Sequence, residues 1–185
     1  MCSEDRIALM MERAKLVQAE VSRISGLDAA FDYVIERMRE RDYKTLAAPN
    51  VDPADAFRLE DRCRKAGIEW VASPLRNRMR NIQAALTMAD GAIAETGSMI
   101  QISDDEDVRI ATMLSELHIV CVRASEIHQD SFAVAHMLRD RMAAGPGYIS
   151  FITGASRTAD IERVLAIGVH GPLELHILIL EEARS

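Results

Sequence analysis

The sequence predicts an α/β domain with a mostly parallel sheet of five or six strands and helices on its faces. Helix-like and strand-like patterns alternate along the chain, which is typical of that class. Segments 44–48 and 68–72 read as strands and flank a segment with helical spacing, so together they predict one β-α-β unit. At 185 residues, the chain is long enough for one domain with a substantial core.

Two helices are predicted before that unit. Apolar residues recur at alternating steps of three and four, as a helix seam does, at Ile7, Met10, Ala14, Val17, Val21 and Ile24. Ser25-Gly26 ends this helix, and a second is predicted from Leu27 to Arg41. The seam has two candidate partners: a second copy of the chain, giving a homo-oligomer, or the second helix folded back. We therefore expect residues 1–43 to form a helical segment packed on an α/β domain over residues 44–185.

Turn residues mark the elements in the middle of the chain. Asp52-Pro53 predicts the start of a helix and Gly67 its end. The acidic run at 104–107 predicts a solvated loop, and 84–88 is compatible with either a helix or a strand. The remaining predictions are a short helix at 75–83, strands at 91–94, 98–102 and 117–122, and a helix at 131–142.

The C-terminal stretch predicts a strand, a glycine turn, a helix and a last strand at 173–180. Residues 148–152 form an apolar run that predicts a buried strand, and Gly154 lets the backbone turn after it. Ser156 or Thr158 is placed to cap a helix that ends at Gly168, with Asp160 in its first turn. Such loops at the carboxyl ends of parallel strands bind ligands in α/β proteins, so 154–158 predicts a ligand site.

Composition argues against several function classes. The formal charge is -7 and there is no basic stripe interleaved with aromatic residues, which argues against nucleic-acid binding. No apolar run approaches the roughly 20 residues that span a bilayer, and the N-terminus does not resemble a signal peptide, so we expect a cytoplasmic protein. The three cysteines form no C-x-x-C pair and the five histidines form no metal-binding pattern, so no metal or other cofactor is expected on this chain.

A hydroxyl-rich turn follows the strand predicted at 91–94. In one interpretation Glu95 acts as an acid, base or hydroxyl acceptor, Thr96 and Ser98 offer hydroxyls, and Gly97 lets backbone N–H groups approach an anion. In the other, this is an ordinary hairpin turn whose glycine provides the geometry. The residues alone leave both open.

Arg157 is the candidate cation for a ligand. A guanidinium near a helix N-terminus opposes the helix dipole, and its planar fork suits a carboxylate or phosphate. The alternative is an internal ion pair with Asp160 or Glu95. His170, before Gly171-Pro172, is either a ligand contact or a structural hydrogen-bonding residue. His118 and His176 lie on apolar strands and are expected to be structural.

Three segments in the second half of the chain resemble the LUD-domain family. "LTMADGAIAETGSMIQIS" is similar to the family's T-x-A-D-x-A-I-A-E-T-G-T segment, with Ser98 replacing the last threonine. "TGASRTADIERVLAIGVHGPLELHILIL" carries the G-x-S-R-T-A-D-I-E and H-G-P words of its C-terminal signature. Arg109 to Val122 is similar to the R-x-x-S-x-L-P-x-x-H-I-x-V-V stretch, with Ser115 replacing proline.

The resemblance implies a Rossmann-like, three-layer α/β/α domain related to phosphosugar isomerases, CoA transferases and formyl-tetrahydrofolate cyclo-ligases. It also implies a role in oxidising lactate to pyruvate. It favours the ligand-binding interpretation of Glu95, Thr96, Gly97 and Ser98, and it alone adds Arg109 to the candidate site. We expect Glu95 and Thr96 to line one pocket with residues 157–158.

Three functions remain open at this point. The first is a subunit that binds a small anionic metabolite or assists assembly, with iron-sulfur oxidoreductase partners that perform the redox chemistry. The second is a self-sufficient enzyme acting on a phosphorylated or CoA-linked small metabolite, which rests on fold analogy. The third is a scaffold whose site has decayed.

Overall fold

The computed structural model describes residues 2–145, 147–158, 166–167 and 171–181, with the backbone alone at 157–158 and 166–167. In chain order the elements are α1 (Ser3–Leu16), β1 (Glu20–Ile24), α2 (Leu27–Glu40), β2 (Thr45–Ala47), α3 (Pro53–Ala66), β3 (Glu69–Trp70), a 3-10 helix (Leu75–Asn81), β4 (Ala84–Met88), β5 (Gly91–Ile93), β6 (Ser98–Ser103), α4 (Glu106–Leu114), β7 (Leu117–Arg123), a 3-10 turn (Ala124–Glu126), β8 (Ile127–His128), α5 (Ala135–Ala143), β9 (Tyr148–Ile152), β10 (Arg157–Thr158), β11 (Ala166–Ile167) and β12 (Glu174–Leu180).

Six strands form a parallel main sheet in the order β1-β12-β7-β4-β2-β3. Successive side chains of a strand point to opposite faces, so each central strand feeds two cores. On one face, α2 and α3 pack against residues such as Ile119 and Leu178. On the other, α1 and a smaller sheet pack against residues such as Val120 and Ile177. The predicted α/β class, with a mostly parallel sheet and flanking helices, is confirmed.

The predictions for α2, α3 and their neighbouring strands are confirmed because local turn chemistry decides them. The Asp52 carboxylate accepts a hydrogen bond from the N–H of Ala54 at 3.0 Å and so caps α3. Gly67 ends α3 in the left-handed region, with φ +73°. The buried face of α2 consists of Ala30, Phe31, Val34, Ile35 and Met38.

The prediction of one helix from Ile7 to Ile24 is wrong. The helix α1 ends at Leu16, Gln18 takes φ +60°, and residues 20–24 form strand β1, parallel to β12. The seam residues Ile7, Met10 and Ala14 are buried against the main and smaller sheets. The packing of this seam against the second helix is therefore wrong, and a homo-oligomer through the N-terminal helix stays a prediction. The boundary at residues 43 and 44 stays a prediction, but 1–43 is not wholly helical and contributes an edge strand to the main sheet.

The strand β9 exists but is not the buried strand that the sequence predicts. It pairs antiparallel with β6 at one edge of a four-stranded sheet in the order β8-β5-β6-β9. Tyr148 and Phe151 are 60% and 51% exposed. The apolar run supplied strand propensity but could not show which sheet the strand would join.

The helix predicted to be capped at Ser156 or Thr158 and to end at Gly168 is wrong at residues 157–158 and 166–167, which the structure describes as strands. The backbones of Arg157 and Thr158 form β10, which pairs antiparallel with Ile167 and Ala166 of β11. Residues 159–165 and 168–170, which include Asp160, Gly168 and His170, lie outside the described residues.

The acidic run at 104–107 is only partly a solvated loop. Asp105 caps α4 by accepting the N–H of Asp107 at 2.9 Å. Asp107 is buried and accepts the N–H of Leu75 at 2.8 Å. Asp104 is exposed and pairs with Arg141. None of the helices in the described ranges has the length and apolar character needed to cross a membrane.

Candidate functional site

The hydroxyl-rich turn at residues 96–98 contacts Thr153, the residue that directly follows β9. The Ser98 and Thr153 hydroxyl oxygens lie 2.6 Å apart, and Thr96 Oγ1 lies 2.7 Å from Ser98 Oγ. We call Thr96, Ser98 and Thr153 the hydroxyl cluster. It forms because β6 and β9 are antiparallel neighbours, with Met99 opposite Ile152. The contact therefore lies between antiparallel strands, and not at the carboxyl ends of parallel strands, where the sequence predicts the ligand loop at 154–158.

Two glycines let this region approach α1 closely. Gly97 has φ +66°, and a Cβ atom there would lie 2.5 Å from the backbone nitrogen of Ala14. Gly154 has φ +74°, and a Cβ atom there would clash with the carbonyl oxygen of Val17. The Gly97 N–H also donates to the Ala94 carbonyl at 3.3 Å. Close packing and turn geometry thus explain why a glycine occupies position 97, in line with the hairpin interpretation.

The segment after β9 lies near the amino edge of the main sheet, which we define as the edge where its parallel strands begin. The Ser156 N–H donates to the Pro172 carbonyl at 2.9 Å, two residues before β12 begins. Gly154 packs on Val17, three residues before β1 begins. The expectation that this loop follows the carboxyl end of a main-sheet strand is wrong, because β9 belongs to the smaller sheet.

The candidate residues around the hairpin differ in access. Glu95 and Thr96 are exposed, whereas Gly97 and Ser98 are buried. Thr153 is exposed on the other side of Ser98. The hydroxyl cluster is thus open at both ends, and Ser98 forms its buried centre.

The structure does not bring Arg109 to the hydroxyl cluster. Its guanidinium donates to the Ser103 carbonyl at 3.2 Å and lies 4.2 Å from the centre of the Tyr148 ring. Ser103 pairs with Tyr148 at the opposite end of the β6–β9 ladder from Thr153. At about 3.4 Å per residue, the ladder separates the two ends by roughly 17 Å.

The remaining candidates are only partly placed. The backbone of Arg157 and Thr158 lies in β10. Ser156 lies beside Gly171, whose Cβ position would be 3.1 Å from Ser156 Cβ. Asp160 and His170 lie outside the described residues, so their roles, and the pocket shared by residues 95–96 and 157–158, stay predictions.

A cluster that the sequence did not predict lies at the same amino edge, on the α2 face. We define the histidine–carboxylate cluster as Glu20, Glu174 and His176. His176 Nε2 lies 3.2 Å from Glu174 Oε2 and 3.6 Å from Glu20 Oε2. Tyr33 Oη lies 3.0 Å from His176 Nδ1, and the Arg41 guanidinium pairs with Glu174. Because Glu20 was predicted to be helical, nothing in the sequence placed it opposite His176.

Burial and pairing set the protonation of this cluster. Burial lowers the pKa of His176, against the opposing influence of Glu20 and Glu174. The hydrogen bond from Arg41 lowers the pKa of Glu174. His176 is 1% exposed and hydrogen-bonded, as expected of a structural histidine.

His118 is the second buried histidine of the main sheet. Its Nε2 lies 2.8 Å from the Thr87 hydroxyl, and its Nδ1 has no hydrogen-bond partner among the described residues. Burial lowers the pKa of His118 to about 4, so the ring is neutral at pH 7. Its expected structural role fits this environment.

A further polar group, also missed, lies where the strand order reverses, between β2 and β4. The Asn50 side chain makes two hydrogen bonds to the Met88 backbone, of 2.7 and 2.9 Å. The Asp90 carboxylate accepts the Ile102 N–H at 2.6 Å, and burial raises the pKa of that carboxyl. Reversal points of this kind are where open α/β sheets bind ligands. The sequence signal that could have indicated this group was Asp90, which lies within the A-D-x-A part of the quoted family segment.

Comparisons with known proteins agree with this architecture. The chain is 26% identical over 97% of its length to a protein of Halalkalibacterium halodurans called Lactate utilization protein C, covering 81% of that protein. A Bacillus subtilis protein of the same name is 26% identical over 90% of the chain and is covered to 68%. A DUF162 family protein from Deinococcus radiodurans has the same fold, with a TM-score of 0.67, 18% identity, and coverage of 97% of this chain and 99% of that one. The profile of the LUD domain matches residues 7–180, and the chain therefore belongs to the LUD domain family.

Proposed function

We propose that this chain is a lactate-utilisation protein, acting as a ligand-binding or assembly subunit of an iron-sulfur-dependent system that oxidises lactate to pyruvate. The observation that carries the proposal is the similarity, over 97% of the chain, to a protein called Lactate utilization protein C. In this proposal the chain binds a small anionic metabolite, and its partners transfer the electrons.

The hydroxyl cluster supports the binding role. Hydroxyl groups donate to carboxylate oxygens and accept from a substrate hydroxyl, and a 2-hydroxy acid presents both. Thr96 and Thr153 are exposed, so a small molecule can reach them. Arg157 follows Thr153 by four residues and supplies the proposed cation for the carboxylate.

The cysteines support the assignment of redox clusters to partners. Cluster ligation requires thiolates. Cys63 and Cys121 are buried, and burial raises the pKa of each thiol to about 12. Cys2 is exposed on the N-terminal side of α1.

The test is growth of the native host after deletion of this gene, with lactate or pyruvate as the sole carbon source. We expect loss of growth on lactate alone, restored by the wild-type gene. A gene carrying Ser98→Ala together with Thr153→Val should restore growth poorly, because the hydroxyl cluster is removed. Thr112→Ala is the matched control, since that hydroxyl bonds to the Arg109 carbonyl within α4.

Normal growth of the deletion strain on lactate would contradict the lactate role. The subunit assignment has its own test with purified protein. We expect no reduction of a dye by lactate with this chain alone, and reduction only when iron-sulfur partners are added. Turnover by the isolated chain, free of any copurifying cofactor, would show an enzyme instead.

A further inference from the structure

The register of the main sheet brings three metal-binding side chains together. Glu20 begins β1 and lies opposite His176 of the neighbouring β12. Glu174 begins β12 and lies two residues before His176, on the same face of the sheet. One ligand atom from each side chain lies within 4.8 Å of the other two. Two strands far apart in sequence thus supply one imidazole and two carboxylates.

We propose that Glu20, Glu174 and His176 bind one divalent transition-metal ion. Bonds of about 2.1 Å at a tetrahedral angle place two ligand atoms roughly 3.4 Å apart. The separations from His176 Nε2 to the two carboxylates, 3.2 and 3.6 Å, bracket that value. The ion takes the place of a proton between the imidazole and the carboxylates. This site is independent of the proposed function.

Hydrogen bonding alone does not account for both carboxylates. A neutral imidazole with its proton on Nε2 donates one hydrogen bond, and Glu174 at 3.2 Å accepts it. Glu20 at 3.6 Å lies beyond hydrogen-bond distance, yet its carboxylate points at the same nitrogen. A cation bound at this nitrogen would bring both carboxylates to it.

The neighbouring residues fit the needs of a metal ligand. A metal-binding histidine normally has a hydrogen-bond partner on its other nitrogen, and Tyr33 fills that position at 3.0 Å from Nδ1. Arg41 fixes the orientation of Glu174, with Nε 2.8 Å from Oε1. Glu40 lies 3.6 Å from Arg41. Arg37 lies 2.8 Å from the same Glu40 carboxylate, so three carboxylates and two guanidinium groups leave a net negative charge that favours a cation.

The ligand types indicate which ions bind. One imidazole and two carboxylates suit Zn²⁺, Co²⁺ and Mn²⁺, with Zn²⁺ and Co²⁺ bound more tightly than Mn²⁺. Mg²⁺ prefers oxygen ligands and keeps several waters, so it should compete poorly. When the ion occupies Nε2, the proton of the neutral imidazole moves to Nδ1, where Tyr33 Oη accepts it, so the ring loses no proton on binding.

The experiment is titration of the purified, untagged full chain with Zn²⁺ and Co²⁺ by calorimetry, followed by visible absorption of the Co²⁺ complex. We expect one ion per chain and the d–d bands of a Co²⁺ ion with nitrogen and oxygen ligands. Glu20→Gln should weaken binding at least about tenfold. That side chain is 60% exposed, so its loss should leave the fold intact.

Two further variants and one control complete the test. His176→Gln should weaken binding more than Glu20→Gln does, and Tyr33→Phe should weaken it about tenfold by freeing the imidazole. His136→Gln is the matched control. That exposed imidazole lies 2.8 Å from the Asp140 carboxylate. It should leave both stoichiometry and affinity unchanged.

The results that would overturn the proposal are specific. They are the absence of Zn²⁺ and Co²⁺ binding at stoichiometric concentrations, binding that Glu20→Gln leaves unchanged, or binding that His136→Gln reduces to the same extent. Growth on lactate is not part of this test, so the metal site and the proposed function fail or stand separately.

Discussion

Two buried histidines on adjacent central strands differ in everything except burial. His118 faces the α1 side of the sheet, where its Nε2 lies 2.8 Å from the Thr87 hydroxyl. His176 faces the α2 side, among Glu20, Glu174 and Tyr33. Both are almost fully buried. The neighbours on each face of the sheet, rather than the depth of burial, therefore decide whether an imidazole is inert or part of an ionisable cluster.

The same contrast extends over the two faces. On the α1 side, glycines and short hydroxyl side chains allow backbones to approach closely. On the α2 side, long ionisable side chains converge at the amino edge. We therefore expect the α1 face to be sensitive to added volume and the α2 face to changes in charge.

The largest effect should come from Gly97→Ala on the α1 face. The added Cβ atom would overlap the backbone of Ala14, and the positive φ adds strain. Together these should lower the free energy of unfolding by about 4 kcal/mol. Gly67→Ala is the control, because φ is +73° there but the space is open. It should cost about 1 kcal/mol, as measured by urea denaturation. Equal losses would contradict close packing at Gly97.

The next effect concerns His118 and pH. Its folded-state pKa of about 4 lies below the ordinary value of 6.5, so the unfolded chain binds the proton more readily. The stability from the neutral ring is complete above pH 6.5 and is lost as pH falls to 4. The loss should reach about 3 kcal/mol.

His118→Gln should flatten the pH dependence of unfolding between pH 6.5 and 4, because glutamine does not titrate. Denaturation curves at half-unit pH steps measure this. The exposed His136→Gln variant serves as the control and should keep the wild-type slope. An unchanged slope in His118→Gln would mean that another group causes the acid sensitivity.

A smaller effect is expected from Arg41→Gln on the α2 face. The guanidinium, 19% exposed, pairs with Glu174 through two nitrogens. Its loss should cost about 1.5 kcal/mol at pH 7. It should also raise the pKa of Glu174, because Arg41 is the main cause of its lowering. Lys44→Gln, which breaks an exposed pair with Asp42, should cost under about 0.5 kcal/mol. If Arg41→Gln and Lys44→Gln lower the free energy of unfolding equally, partial burial does not strengthen the ion pair between Arg41 and Glu174.

The smallest effect should be the coupling within the hydroxyl cluster. A double-mutant cycle of Ser98→Ala and Thr153→Val isolates the bond between their hydroxyls. We expect a coupling free energy of about 1 kcal/mol, typical of a hydrogen bond between neutral groups. Additive losses would show that the two hydroxyls are not bonded in solution.

Sequence reasoning succeeded where local chemistry decides the structure. Asp52 caps the start of α3 and Gly67 caps its end, and neither cap depends on distant residues. It failed for Val21 and Ile24, whose spacing continues a helical seam. The backbone turn at Gln18 and pairing with β12 override that spacing. Nothing local to these residues reports a partner at the other end of the chain.

The candidate site shows the same division. Ser98 lies beside Thr153, which was not a predicted site residue, because the strands β6 and β9 that the two residues flank became antiparallel neighbours. The motifs could not place Arg109, whose position depends on which end of the β6–β9 ladder α4 packs against. They also could not reveal the histidine–carboxylate cluster, since the register of β1 against β12 creates it.

The pairing of β1 with β12 has a consequence for folding on the ribosome. The Arg23 guanidinium pairs with Glu181, the residue that directly follows β12, and these two residues are 158 positions apart in the chain. At about 5–20 residues per second, synthesis needs roughly 8–30 s to deliver the second partner after the first. During that interval β1 has no strand to pair with, and the apolar side chains of Val21 and Ile24 lack the cores that bury them. The first strand of the main sheet to be synthesised, β1, is therefore the last to find its partner.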